Sequence, residues 1–109
     1  MIGYVMVGTN NLDRAINFYD EVLQIINLKR KDTDEFCAGY TQKDGVGAIE
    51  FYVTKPATGK TATFGNGTQV SFIVSSREIV DKFHEIGLKA GGSSEGSGGE
   101  RPEGSGVYY

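Results

Sequence analysis

Residues 2–25 read IGYVMVGTNNLDRAINFYDEVLQI. The first seven are rich in β-forming side chains and stop at Thr9-Asn10-Asn11, where either asparagine can accept a hydrogen bond from the open N–H groups of a new helix. From Leu12 onward Ala15, Ile16, Tyr19, Val22, Leu23 and Ile26 recur at the spacing of one helical face. The stretch is therefore a strand followed by an amphipathic helix that ends near Ile25.

The same order returns farther along, where residues 68–92 read TQVSFIVSSREIVDKFHEIGLKAGG. Residues 68–74 are strand-like, Ser75-Ser76-Arg77-Glu78 has the S-x-x-E form of a capping box, and Ile79, Val80, Phe83, Ile86 and Ala90 make a second stripe ended by Gly91-Gly92. An offset of 65 residues lays Val5 on Val70, Asn10 and Asn11 on Ser75 and Ser76, Phe18 on Phe83, and Leu23 on Leu88. Strand, cap and helix stripe register together, which marks a duplicated module.

Between the copies, 35–41 and 46–54 are two more strands joined by Gln42-Lys43-Asp44-Gly45, whose Asp-Gly is a hairpin signal, and 28–31 is a weaker one. The expected organisation is a single α+β domain: a β-α-β-β-β module over 1–54, a linker over 55–67 with Pro56 and three glycines, and a second module over 68–109. After Ala90 the run Gly91-Gly92-Ser93-Ser94-Glu95-Gly96-Ser97-Gly98-Gly99-Glu100 has the composition of a flexible tail, the default reading. Because Val107-Tyr108-Tyr109 is strand-like, the alternative is a long loop that carries the chain into another strand. The last strand of the second module is not reached, so the expectation is either a truncated chain or a dimer that covers the open edge.

Composition narrows the partners. A net charge of −3 argues against nucleic acid and anionic membranes, and Lys29-Arg30-Lys31 is followed at once by Asp32 and Asp34, as in a solvated strand end. Cys37 is the only cysteine, which excludes an intramolecular disulfide and a multi-cysteine metal site and fits a reducing compartment. With no secretion leader and no bilayer-length apolar run, a cytoplasmic location is expected. His84 is the only histidine, so no paired-histidine metal site exists within one chain; it is expected at the core edge or in solvent. Gly59-Lys60-Thr61 imitates the end of a P-loop but lacks the glycine that motif needs at Thr54 and the helix that starts at its lysine.

Strand alternation divides the side chains into two faces. Val5 and Val7, Ile49, Phe51 and Val53, and Val70, Phe72 and Val74 are apolar and are expected to cover the helices. Opposite them stand Tyr4, Met6 and Gly8, then Glu50, Tyr52 and Thr54, then Gln69, Ser71 and Ile73. This mixed face is either a solvated or dimer-forming surface, or the lining of a ligand cavity.

Tyr4-Val5-Met6-Val7-Gly8, Asn11-Leu12-Asp13-Arg14-Ala15, Asn17-Phe18-Tyr19 and Val22-Leu23 together resemble the opening module of the glyoxalase, bleomycin-resistance and extradiol-dioxygenase superfamily, the vicinal oxygen chelate fold. Residues 68–92 resemble its second module, and Arg101-Pro102 followed by Gly-x-Tyr-Tyr is similar to small bacterial glyoxalase-like proteins. The resemblance implies two modules whose sheets form a curved, cup-like mixed sheet with helices outside, usually in a homodimer, holding a divalent metal or a small molecule. The family's metal ligands would fall on Tyr4, where His or Gln is usual, on Glu50, which fits, on Gln69, where His is commoner, and beyond Tyr109.

Glu50 and Gln69 alone are too few for a catalytic Zn, Ni, Mn or Fe site, so a metal-free protein is the stronger expectation. What the resemblance then implies is a cup lined by Tyr4, Met6, Glu50, Tyr52, Gln69 and Ser71, with Arg101 either at the mouth as an anion ligand or solvated. Two activities fit it: a lyase or isomerase, related to the dioxygenases, with Glu50 as base or ligand, or a protein that sequesters a drug or metabolite without turnover.

Overall fold

The computed structural model describes residues 1–109. Its elements in chain order are β1 (Val5–Gly8), α1 (Leu12–Gln24), β2 (Leu28–Thr33), β3 (Cys37–Gln42), β4 (Phe51–Thr54) and α2 (Arg77–Lys89). The four strands form one sheet in the order β1-β4-β3-β2. β2, β3 and β4 run antiparallel, whereas β1 lies parallel to β4, with Val5 opposite Phe51 and Val7 opposite Val53. Parallel neighbours need a crossover, and α1 with β2 and β3 supplies it. The result is the expected α+β architecture, an open mixed sheet with two helices. No helix is long and apolar enough to cross a membrane.

Leu12, Val22 and Leu23 of α1 are buried against Leu28, Ala38, Tyr40, Phe51 and Val53 of the sheet. Every member of this core belongs to the first module; α2 buries no residue fully and places Phe83 and Ile86 at the flank of the core. A row of rings joins the two parts, Tyr19 to Phe51 at 5.1 Å, Phe51 to Phe72 at 5.7 Å and Phe72 to Phe83 at 6.3 Å between centroids. Polar bonds fix α1 to the same sheet. Tyr40 Oη donates to Asp20 Oδ1 at 2.9 Å, and Arg30 grips both oxygens of that carboxylate at 3.1 Å from Nε and Nη2. Burial, then the Asp20 hydrogen bond, pushes the Tyr40 hydroxyl well above its ordinary value of 10.0.

The two helices correspond in length and in the position of the cap. Each has thirteen residues, and the N-caps are Asn11, which accepts from Arg14 N at 3.1 Å, and Ser76, which accepts from Ile79 N at 3.3 Å. The offset of 65 therefore holds for cap and helix alike. The capping box does not form as expected: with Ser76 rather than Ser75 as cap, Glu78 falls at the second helical position and cannot reach back to the cap N–H. Its charge still opposes the positive end of the helix dipole. Asn10, the other cap candidate, instead clasps Ala62 through two bonds, Ala62 N to Oδ1 at 2.7 Å and Nδ2 to Ala62 O at 3.0 Å. Gly8 admits this approach, since a Cβ there would lie 3.3 Å from that of Ala62.

Three expectations need correction. Residues 68–74 join no strand, and no backbone-to-backbone hydrogen bond is made anywhere in 60–75. A strand needs a partner ladder, and no other segment hydrogen-bonds its backbone to this one. The strand expected over 46–54 is shortened to Phe51–Thr54, because Thr41 Oγ1, 3.1 and 2.9 Å from the carbonyls of Gly47 and Ala48, draws that run out of register. Finally, the glycine-rich stretch is not a loose tail but the long loop of the alternative reading. Gly99 and Tyr109 exchange backbone bonds at 3.0 and 2.9 Å, Tyr108 Oη donates to Asp81 Oδ1 at 2.7 Å, and Arg77 pairs with Glu100 at 3.1 Å. The closing hairpin is thus fastened to α2.

Leu23 has no exposed surface, so Leu23→Ala is expected to cost about 2–5 kcal/mol of unfolding free energy in a urea titration. Tyr40→Phe has a distinct signature. A raised native hydroxyl value means that stability held below about pH 10 is lost as pH climbs past it, and the variant is expected to flatten that alkaline decline relative to the parent.

Candidate functional site

The sheet face away from α1 carries an aromatic platform. Tyr4, just before β1, meets Tyr52 of β4 edge to face with centroids 5.1 Å apart and planes at 77°. Met6 lies beside Tyr52 in the parallel register. Tyr4 and Met6 are 58% and 50% exposed, so the platform is open to a ligand or to another protein surface. The strand beneath is shaped to hold the ring. Gly39 stands opposite Tyr52, and a Cβ at Gly39 would come within 3.0 Å of both Tyr52 Cε1 and Ile49 Cγ2. Ile49 therefore sits on this face, not on the helix-covered face where strict alternation puts it, because the chain leaves register before Phe51.

The same slip moves Glu50. Its carboxylate accepts from Gln42 Nε2 at 3.2 Å and lines a groove of about 330 Å³ with Ile26, Leu28 and Phe72. Those apolar neighbours pack on or belong to the helix-covered core, and neither Tyr4 nor Tyr52 lines the groove. Its backbone is fixed on both sides, Val5 N donating to Glu50 O at 3.0 Å and Glu50 N to Tyr40 O at 2.9 Å. Gln69 and Ser71 lie together on the unpaired stretch, Gln69 Nε2 donating to Ser71 Oγ at 3.0 Å. Ser71 borders a second, largely apolar groove of about 750 Å³ between that stretch, α2 and the closing hairpin. Arg101 borders a third, with His84. Of the residues expected to share one cup, the structure brings together Tyr4, Met6 and Tyr52; Glu50, Ser71 and Arg101 line three different grooves.

A divalent metal does not fit the residues present in one chain. Nowhere do three His, Cys, Asp or Glu side chains converge. The Glu50 carboxylate is engaged by Gln42 and the Gln69 amide by Ser71, on separate segments. Cys37, opposite Thr54 at the far end of the platform strands, is no ready nucleophile: burial and then the charge of Asp34 push its thiol up and keep it protonated. The residues that sequence reading passed over are Gly39, Ile49 and Gln42. A glycine inside a strand pattern is itself a sign of close approach, and Gly39 carried that sign. Nothing in the local pattern announces the shift at Ile49.

The fold agrees with what is known of other proteins. The family model of the Glyoxalase/Bleomycin resistance protein/Dioxygenase superfamily matches residues 1–109, and the chain belongs to that superfamily. Among solved structures it is similar to a glyoxalase/bleomycin resistance protein from Albidiferax ferrireducens T118, with 31% identity over 93% of this chain and 81% of the other and a TM-score of 0.80. No curated protein matches.

Gly39→Ala is expected to displace the Tyr52 ring by a few tenths of an ångström and to loosen the Tyr4 contact. With no tryptophan in the chain, the change reads out directly in tyrosine fluorescence and in the aromatic region of the NMR spectrum.

Proposed function

We propose that this chain is a small-molecule binding protein of the bleomycin-resistance kind, which holds a planar organic ligand against Tyr4, Met6 and Tyr52. Superfamily membership supports small-molecule binding or a glyoxalase-like function. The observation that carries the narrower reading is the exposed edge-to-face pair of Tyr4 and Tyr52, seated on Gly39. Such a pair offers a rigid π-surface at small entropic cost, and Met6 beside it adapts to irregular outlines.

A second copy of the chain completes the cup in this reading. Support comes from the stretch 60–75, which makes no backbone ladder and leaves Ile73 fully exposed, and from a platform that is itself open. A homodimer that sets Gln69 and Ser71 of one copy over the platform of the other would satisfy those groups and enclose the ligand. The lyase or isomerase reading rests on a different observation, the Glu50 carboxylate oriented by Gln42 at a groove. There Glu50 would take a proton from an α-hydroxycarbonyl adduct.

Bleomycin at about a hundred times its dissociation constant is expected to stabilise the protein by roughly 2.7 kcal/mol, seen as a melting shift of several degrees. The Tyr4→Ala/Tyr52→Ala double variant is expected to lose that shift. A shift that survives the double substitution removes the platform from the site, and none in the parent removes the drug-binding reading. Turnover of a hemithioacetal that disappears in Glu50→Gln would replace it with the enzymatic one. Sedimentation at twice the mass of one chain is expected for the dimer.

A further inference from the structure

The glycine-rich stretch folds back along α2 and encloses the third groove, of about 280 Å³. Phe18, Phe83 and Leu88 give it an apolar wall, Arg101 and His84 stand at its rim, and no Asp or Glu side chain lines it. Arg30 and Arg77 are ion-paired, whereas Arg14 and Arg101 have no acidic partner. The one side-chain hydrogen bond of Arg101 runs from Nη2 to the carbonyl of Ser97 at 2.8 Å, which leaves most of the guanidinium fork without a protein acceptor.

The arginine lies against the loop. Gly96 adopts φ +131°, a conformation that favours glycine, and its bare Cα faces the movable end of Arg101, 2.9 Å from where a Cβ would stand. The Ser94 hydroxyl, which accepts from Gly96 N at 3.1 Å, lies 3.2 Å from His84 Nε2 and fixes the imidazole at the same rim.

We infer that this groove is a binding site for a small organic oxyanion, a carboxylate or phosphate monoester on a short apolar body. Arg101 supplies the fork that matches two oxygens of such a group, His84 a second polar contact, and the Phe18 and Leu88 wall takes up the carbon skeleton. Arg101 is exposed and has no acidic partner, so its fork is open to a charge-assisted bond with such an anion. The site lies apart from the Tyr4 and Tyr52 platform and stands or falls independently of what binds there.

His84 is the only histidine, so its ring gives a single resolved imidazole signal. Titration at fixed pH with benzoate in one arm and phenyl phosphate in the other is expected to move that signal, and the Arg101 Nε–H signal, along a saturating curve in at least one arm. The arm that saturates identifies the oxyanion. Arg101→Ala is expected to weaken binding about tenfold or more, with Arg101→Lys between the two because a point charge replaces the fork. Leu88→Glu, on the exposed face of α2, keeps Arg101 and the helix but brings a carboxylate to the mouth; it is expected to abolish binding even if the alanine variant proves poorly folded. Non-saturating shifts in both arms, or affinity unchanged in Arg101→Ala or in Leu88→Glu, would overturn the assignment.

Discussion

β1 lies parallel to β4, and the rest of the molecule is arranged to make that possible. Two parallel strands cannot be joined by a tight turn, so the chain must leave the sheet, cover one face and return. α1 does so, and the return through β2 and β3 builds the meander against which Leu12, Val22 and Leu23 are buried. The register follows: Val5 and Val7 meet Phe51 and Val53 on the covered side, so Tyr4 and Met6 necessarily gather near Tyr52 on the other. The platform is thus a geometric consequence of the crossover, and it needs no bond of its own to exist.

Stability is distributed unevenly over this plan. The first module contains the whole buried core and the Asp20, Arg30 and Tyr40 cluster that ties helix to sheet. α2 is attached through half-buried contacts, through the Phe72 and Phe83 rings, and through the hairpin fastened at Asp81 and Arg77. Gly87 faces α1 at Val22, where an added Cβ would make an ordinary contact at 3.7 Å. Segments held this way open at lower cost than the core, and binding surfaces are commonly drawn from them.

Helices, caps and the apolar faces of β1 and β4 were legible because each rests on a local rule: a 3.6-residue stripe, a side chain able to accept an N–H, an alternation of two. The offset of 65 relates the observed bounds of the two helices, although the capping box put the second cap one residue early, at Ser75. What the sequence could not convey was pairing. Residues 68–74 have the composition of a strand, yet strand formation depends on a partner that the segment itself does not encode. Glu50 is a similar case: its alternation was sound through Phe51 and failed one residue earlier, where the Thr41 hydroxyl holds the carbonyls of Gly47 and Ala48. The glycine-rich stretch was misjudged for the opposite reason, since composition alone says nothing about which side chains press against a bare Cα.

The two free borders of the structure are treated in opposite ways. β2 is an edge strand of charged residues, Lys29, Arg30, Lys31 and Asp32, a sequence that discourages further pairing. The loop after α2 shows how a monotonous composition can encode a demanding shape. Side chains at Gly92, Gly96 and Gly98 would run into Gly87 O, Arg101 and Asp81 respectively, within 2.8, 2.9 and 2.5 Å. At Gly92 the obstacle is fixed backbone, so there the stretch is not interchangeable with an ordinary linker, whereas at Gly96 and Gly98 it is the movable end of a side chain.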